Sequence, residues 1–483
     1  MKKVLIIGGG VAGLTTGILL TKRGFHCEIY EKNHMAGGNL TGWDRNGYHI
    51  DNCIHWLTGT RPDNALYRLW EEVGALGGHI DVHQQEALFS SESENERVSF
   101  YRNTDRARRE MCRLSPADVT EIERFFRAVD AAASVTVNGG RIRERIMEME
   151  GIMRYLPTSL YRLSASFRHP LLSAAFTDYI GGEYSALGLV LAYAAFASGN
   201  GGIPAGGSRA MAERMANRFL DYGGYLYTDS PVAGIMTDGD RATGIRLADG
   251  ETVAGDYIVA ACDSAVTFGR LLPTASMPRR LLSQYERRRA FPVFSAFQTA
   301  IAVDGTELPF RGTAGFPILP LLSDGRCISR LTVREFSHEP GFMPEGKGLL
   351  QCMIYQHTET ARTFMRLRAE DPERYRLRKE ELAHAIVDRI EKHYPMLAGK
   401  LRVIDAWTPA TYNRYFDSFY GAFMSFAVTG KALPLAVPQT PRGYRNIYLA
   451  GQWYRPPGGL PSAALSGKSA AKKIIADSLV RHR

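Results

Sequence analysis

An α/β fold organised on a parallel nucleotide-binding sheet is predicted by three features of this sequence. The chain opens on a strand, a glycine-rich turn, a helix and a second strand within its first 31 residues. Buried strands of the same texture, Asp256–Ala261 and Asn446–Leu449, return far downstream. Between them lie helices and mixed strands with no second glycine fingerprint, which reads as an α+β region interleaved with the first.

The opening unit accounts for itself residue by residue. Val4 to Ile7 is a continuous apolar run without polar alternation, the pattern of a parallel strand covered on both faces. Gly8-Gly9-Gly10-Val11-Ala12-Gly13 satisfies G-x-G-x-x-G. Gly8 permits the tight turn, Gly10 lets the backbone approach a pyrophosphate, and Gly13 lets helix and strand pack closely. Leu14, Ile18 and Leu19 give the helix an apolar face, and Gly24 stops it after Lys22-Arg23. The helix N-terminus offers unpaired N–H groups and the positive end of a dipole. His26 to Glu31 is the second strand, ending in an acid able to accept hydrogen bonds from ribose hydroxyls and to repel a 2′-phosphate.

Downstream, Asp63 to Gly74 and Ser115 to Ala133 carry helical periodicity, the second with Ser115 as N-cap and proline next. Arg141 to Ala197 reads as mostly helical, and Gly199 to Gly202 as punctuation. Gly206-Gly207-Ser208 opens a helix that Gly223-Gly224 closes. The strands Tyr225–Thr228, Val232–Thr237, Ala242–Ala248 and Glu251–Ala254 follow, with Asp238-Gly239 and Asp249-Gly250 turning a three-stranded meander. A basic helix is expected over Pro278–Ala290, then a mixed sheet and a charged helix between Glu359 and His393. The chain ends on a strand and turn through Trp453 and a helix entered from Pro456-Pro457-Gly458-Gly459 and running to about Leu479.

Composition excludes several classes. With 483 residues, 45% hydrophobic and 23% charged, the chain is neither disordered nor collagen-like. Its net charge of +9 is a mild excess, compatible with an ordinary basic surface or weak attraction to an anionic one. Nothing in it points to nucleic acid. Cys27, Cys53, Cys112, Cys262, Cys327 and Cys352 show no metal-ligand spacing, which fits reduced thiols in a cytoplasmic protein. Lysine is absent between Lys32 and Lys347, so a Walker loop is excluded and Schiff-base chemistry is confined to the terminal regions. The longest apolar segment, Leu187 to Ala197, is too short to cross a bilayer.

After Glu31, the loop Lys32-Asn33-His34-Met35-Ala36-Gly37-Gly38-Asn39 resembles the second glycine doublet of the two-dinucleotide-binding flavoproteins, where it wraps FAD. Gly47-Tyr48-His49-Ile50-Asp51, Pro204-Ala205-Gly206-Gly207-Ser208, the meander ending Ala261-Cys262-Asp263, and Tyr448-Leu449-Ala450-Gly451-Gln452 through Gly467 extend the likeness. Together these segments resemble the phytoene desaturase, carotenoid isomerase and retinol saturase group of FAD proteins, within the amine-oxidase superfamily. The resemblance implies a Rossmann-type FAD-binding domain (residues 1–65, 203–270 and 440–483) interleaved with an α+β substrate and cap region (66–202 and 271–439) with candidate membrane-facing helices. It implies that Glu31 holds the adenosine ribose and that Val232 touches adenine through its backbone. Gly451 and Gln452 would sit at the pyrophosphate and ribityl chain, and Leu460-Pro461-Ser462 at the flavin pyrimidine edge. A helix starting at Pro461 would aim its N-terminus at the charge a reduced flavin develops, a contribution of about 0.3–1 kcal/mol. Ala463, Ala464, Ser466 and Gly467 would let that helix crowd the ring. The candidate FAD-binding set is Gly8, Gly10, Val11, Ala12, Gly13, Glu31, Lys32, Gly37, Gly38, Asn39, Val232, Ala261, Gly451, Gln452, Gly459, Leu460, Pro461 and Ser462. Gln452 departs from the family pattern, which has an acid there; an amide can still hydrogen-bond a ribityl hydroxyl.

The resemblance implies a desaturase, saturase or isomerase working on carbon–carbon bonds of a lipophilic unsaturated substrate such as a carotenoid or retinoid, in an apolar tunnel near a membrane face. The Arg287 helix and the Leu187–Phe196 segment are candidates for its mouth, or else an ordinary surface helix and a core helix. His55 and Tyr412 are the candidate catalytic residues, with a structural histidine and a core tyrosine as the alternatives. Trp453-Tyr454 flank the flavin or pack behind it, and Tyr415 and Tyr420 line the cavity or the core. An amine oxidase and a prenyl-binding escort of the GDP-dissociation-inhibitor type share the architecture. The first commonly places a lysine near the flavin, which this chain's lysine gap disfavours. The electron acceptor has no signature in the sequence.

Overall fold

The computed structural model describes residues 1–137, 149–273, 275–323 and 325–480. Its nucleotide-binding sheet has five strands in the order Tyr225–Tyr227, His26–Tyr30, Lys3–Ile7, Tyr257–Ala260, Ile447–Leu449. Every pairing in it is parallel. The central strand explains its own lack of polar alternation. Val4 and Ile6 pack into the layer of the first helix, Val11–Thr21, and the helix Gly207–Asp221. Leu5 and Ile7 face the opposite way, onto the meander. Both faces are dry, so both parities must be apolar.

The meander has three antiparallel strands, Val232–Asp238, Arg241–Leu247 and Thr252–Ala254. The fourth segment expected beside them, Tyr225–Tyr227, instead forms the edge of the parallel sheet. A second sheet of seven strands runs in the order Leu401–Trp407, Ser295–Val303, Gly348–Gln356, Arg326–Glu335, Thr313–Ser323, Ala87–Glu92, Arg97–Tyr101. All of Ser295–Val303 is buried, because helices cover one side and the cavity region the other.

Several expected elements are redrawn. The charged helix over 359–393 is two helices, Thr358–Glu370 and Pro372–His393. Pro372 has no N–H to continue the first, and the Asp371 side chain caps the second through Arg374 N. The basic helix is short, Arg279–Glu286, so Arg287–Arg289 lie beyond it. Within the expected helical stretch 141–197, residues 141–148 lie outside the described residues. The rest breaks into Leu160–Ser164, Pro170–Asp178 and Ala186–Ala197. A further helix, Thr104–Leu114, is capped by Asn103, whose side chain accepts from Arg106 N. Gly201–Pro204, expected as punctuation, is a buried strand paired with Leu57–Thr58 and Val82–His83. Ser115 does not cap a helix by accepting from its amides; its hydroxyl donates to Asp118 at 2.7 Å.

Candidate active site

The glycine turn after the first strand divides its labour. Gly8 has φ +102° and a Cβ there would press on the Ala261 carbonyl at 3.1 Å. At Gly13 a Cβ would stand 2.0 Å from the Gly8 carbonyl oxygen, so strand and helix are in backbone contact. Gly10 differs. The closest atom a Cβ would meet is Gly37 O at 3.8 Å, leaving open space on the side that faces a cavity. No side chain caps the first helix, which starts at Val11. Glu31, 5% exposed, accepts from Gly9 N at 2.8 Å and from Asn33 N at 2.9 Å, which ties the second strand's end to the glycine turn. Gly37 and Gly38 both have positive φ, and a Cβ on Gly37 would strike Leu40 O at 2.3 Å.

The cavity these groups border measures about 870 Å³, toward the upper end of the ~300–1,000 Å³ usual for ligand sites. Of the candidate cofactor set, Gly8, Gly10, Val11, Ala12, Glu31, Lys32, Gly37, Gly38, Asn39, Val232, Ala261, Gly451, Gln452, Gly459, Leu460 and Pro461 line it. Gly13 and Ser462 do not. Gly13 supports the turn from behind, and Ser462 lies outside the lining although Pro461 and Ala463 on either side of it are in it; the last helix, Gly459–Val480, starts two residues earlier than Pro461. Lys32 pairs with Asp417 at 3.0 Å, and Asn39 donates to Phe423 O at 3.3 Å.

Gln452 does something that its sequence position did not show. Its Oε1 accepts from Gly459 N at 2.9 Å and so satisfies one amide at the start of the last helix. The small residues of that helix are also redirected. Ala463 lines the cavity, but Gly467 packs on the first helix, where a Cβ would meet Ala12 O at 2.4 Å. Ser466 Oγ accepts from Gly451 N at 3.0 Å, and Ala464 is buried in the core. Ser466 and Gly467 thus hold the last helix to its neighbours, and Ala463 faces the cavity.

His55 borders the cavity; its side chain is exposed there and makes no hydrogen bond among the described residues. Desolvation and then the Arg334 charge push its imidazole down to about 3, so the ring is neutral near pH 7. Tyr412 also lines the cavity; its oxygen accepts from Gln298 Nε2 at 2.5 Å and from Trp407 Nε1 at 3.1 Å. Burial raises its pKa. Trp453 lines the cavity and stacks on Tyr285, whereas Tyr454 is core. Tyr415 is in the lining; Tyr420 is at the surface between Arg288 and Arg362. One face of Ala186–Ala197 (Leu187, Gly188, Leu191, Ala192 and Ala195) borders the cavity, and the other is core. The helix Arg279–Glu286 contributes nothing to the lining.

Sequence reasoning passed over Asp263, Tyr184, Tyr355 and Met424, all in the lining. Asp263 ends the segment Ala261-Cys262-Asp263, so the family likeness itself carries its position. It accepts from Ala265 N at 2.7 Å and Phe419 N at 2.8 Å, yet burial pushes its carboxyl up to about 7. A carboxyl raised above its ordinary value stabilises the fold fully below about pH 4. That contribution is lost as pH rises through 7. Thermal unfolding of Asp263→Asn against wild type should therefore shift in favour of the variant between pH 4.5 and 8; a pH-independent difference would refute it.

The sequence profile described as flavin-containing amine oxidoreductase matches residues 11–475. The chain belongs to that family. FAD is its cofactor, and this flavin-containing oxidoreductase is an enzyme. The residues present fit the group: a capless helix terminus, an open Gly10, and an acid at the end of the second strand. Relatives of this oxidoreductase are distant. It is 22% identical to 4,4'-diaponeurosporene oxygenase of Staphylococcus haemolyticus (strain JCSC1435), over 98% of this chain and 97% of the relative. It is 23% identical to the chloroplastic prolycopene isomerase of Daucus carota, over 98% and 80%. Among solved structures, an oxidoreductase from Methanosarcina mazei superposes with TM-score 0.63 at 16% identity, covering 97% of this chain and 100% of that one. Putrescine oxidase bound to putrescine gives 0.59 at 15%, covering 98% and 99%. The structural likenesses establish the fold.

Proposed function

We propose that this enzyme desaturates, saturates or isomerises a carotenoid-like or retinoid-like polyene. The observation that carries the reading is the apolar arm of the cavity, walled by Leu187, Leu191, Tyr184, Tyr355, Phe423 and Met353 and continuous with the FAD residues. Curated relatives named for diaponeurosporene and prolycopene support it. Lys32 is the one lysine of that lining among the described residues, and it is spent on Asp417 beside Glu31. That weighs against amine chemistry of the lysine-assisted kind.

The chemistry FAD supplies when bound is hydride or electron exchange with a carbon–carbon bond. The chain's part is to position and to keep the site dry. Glu31, Gly10 and the first helix would hold the dinucleotide half, and Val232 the adenine. Gly451, Gly459 and the start of the last helix would favour negative charge at the other half. His55, neutral and open to the cavity, is suited to orienting substrate by hydrogen bonding, and Tyr412 to shaping the wall. The division of labour we propose, 1–65, 203–270 and 440–483 for FAD against 66–202 and 271–439 for substrate, is supported by which sheet each segment joins.

Anaerobic, reduced enzyme should be reoxidised by, or should isomerise, members of a carotenoid and retinoid panel and leave an amine panel untouched. Turnover of amines alone would overturn the proposal. No described helix is long and apolar enough to cross a membrane. Leu191 and Leu433 line the cavity and are about half exposed, as is Leu435 two residues after Leu433, which supports a mouth resting on a lipid surface. The double variant Leu433→Asp, Leu435→Asp should sediment with anionic vesicles several-fold less than wild type; unchanged sedimentation would move the mouth elsewhere.

A further inference from the structure

Next to the main cavity lies a side chamber of about 40 Å³ that shares the side chains of His55, Trp56 and Tyr355 with it. Its polar wall is made by Thr313, Thr332, Gln298, Gln351 and Arg334. Arg334, on the strand Arg326–Glu335, is 6% exposed. Its guanidinium donates to Ile54 O at 2.7 Å and Gln351 Oε1 at 2.9 Å, both neutral, and lies over the Phe336 ring at 4.5 Å. The neighbouring acids are committed elsewhere. Glu335 accepts from Gly312 N and Ser337 N. Asp51 is taken by Cys53 N, Ile54 N and Ser208. Among the described residues no carboxylate forms an ion pair with Arg334, although a buried cation is ordinarily paired.

We infer that this chamber receives the carboxylate end of an otherwise apolar, unsaturated substrate, with Arg334 as its counter-ion. The size fits: a space of this volume takes a few water molecules or one planar oxyacid head, while the chain occupies the main cavity. The geometry of a guanidinium suits two carboxylate oxygens. His55 on the shared wall has its ring nitrogens free to meet the same group. The inference rests on the reading of the main cavity as the substrate tunnel and narrows it to polyene acids.

The test uses FAD-loaded protein with all-trans-retinoic acid and all-trans-retinol, probes that differ at one end. Binding is read by quenching of tryptophan emission, Trp56 standing in the chamber wall. The acid should bind wild type about tenfold more tightly than the alcohol. Formate should compete with the acid and not with the alcohol. In Arg334→Gln the ratio of the two affinities should fall to about one. Equal affinities in wild type, or an acid preference that survives Arg334→Gln, overturns the inference and leaves the tunnel in place. Formate binding with no preference for the acid marks a site for small free anions and likewise overturns it. Quenching by neither probe overturns the tunnel reading and the inference with it. Should Arg334→Gln fail to fold, the wild-type formate competition decides: displacement of the acid supports the inference, and its absence refutes it.

Discussion

Gly10→Leu protein should purify folded and colourless. A Cβ at this position meets no protein atom closer than 3.8 Å, and its φ of −72° suits any residue. The rest of the leucine side chain then extends into the cavity where the first helix begins, the place proposed for the FAD pyrophosphate. Flavin content, read as absorbance released on denaturation, should drop at least tenfold, with the circular dichroism spectrum retained and activity lost. The control is Gly13→Ala. There the added carbon would stand 2.0 Å from the Gly8 carbonyl oxygen, a backbone atom that cannot swing aside as a flexible side chain could. That variant should lose flavin and fold stability together. A yellow Gly10→Leu protein would show that the phosphates lie elsewhere.

Asp51→Ala carries the second large effect, on stability. The carboxylate is 2% exposed and accepts from Cys53 N at 3.1 Å, Ile54 N at 3.2 Å, Ser208 N at 2.5 Å and Ser208 Oγ at 2.7 Å. Removing it strands the Ser208 amide at the start of the Gly207–Asp221 helix and the Cys53 amide in the loop leading to His55, while Ile54 N keeps Ser208 Oγ at 2.8 Å. Each such orphan costs about 1–3 kcal/mol, so a total loss of about 3 kcal/mol or more is expected. Denaturant unfolding of the flavin-loaded protein measures it. Asp51→Asn keeps one acceptor and turns donors toward donors, so it should recover only part of the loss. A midpoint within error of wild type for Asp51→Ala would mean that the loop is held by other contacts.

Asp51 also shows where legibility in the sequence stopped. Gly47–Asp51 and Pro204–Ser208 were both recognisable as family segments, but nothing in either indicates that they are partners. A carboxylate and a hydroxyl 157 residues apart become one knot only when the chain brings them together. The same limit applies at the last helix. The run of small residues after Pro461 was visible, yet whether it faces a cofactor or another helix depends on the rotation of that helix. That rotation turns Ala463 to the cavity and Gly467 to Ala12 O of the first helix. Gln452 stands in the sequence as a departure from the family's acid; its use as a cap for Gly459 depends on where the intervening turn returns.

By itself the sequence determined the parallel sheet, the glycine turn, the acid after the second strand and the meander. Each of these rests on local rules, since side-chain parity, φ freedom and turn chemistry act over a few residues. Only the tertiary structure decided which groups share a cavity, that His55 stands open to it, and that Arg334 is buried beside it with neutral partners. Such facts depend on long-range packing and on the desolvation it imposes, and a linear pattern encodes neither directly.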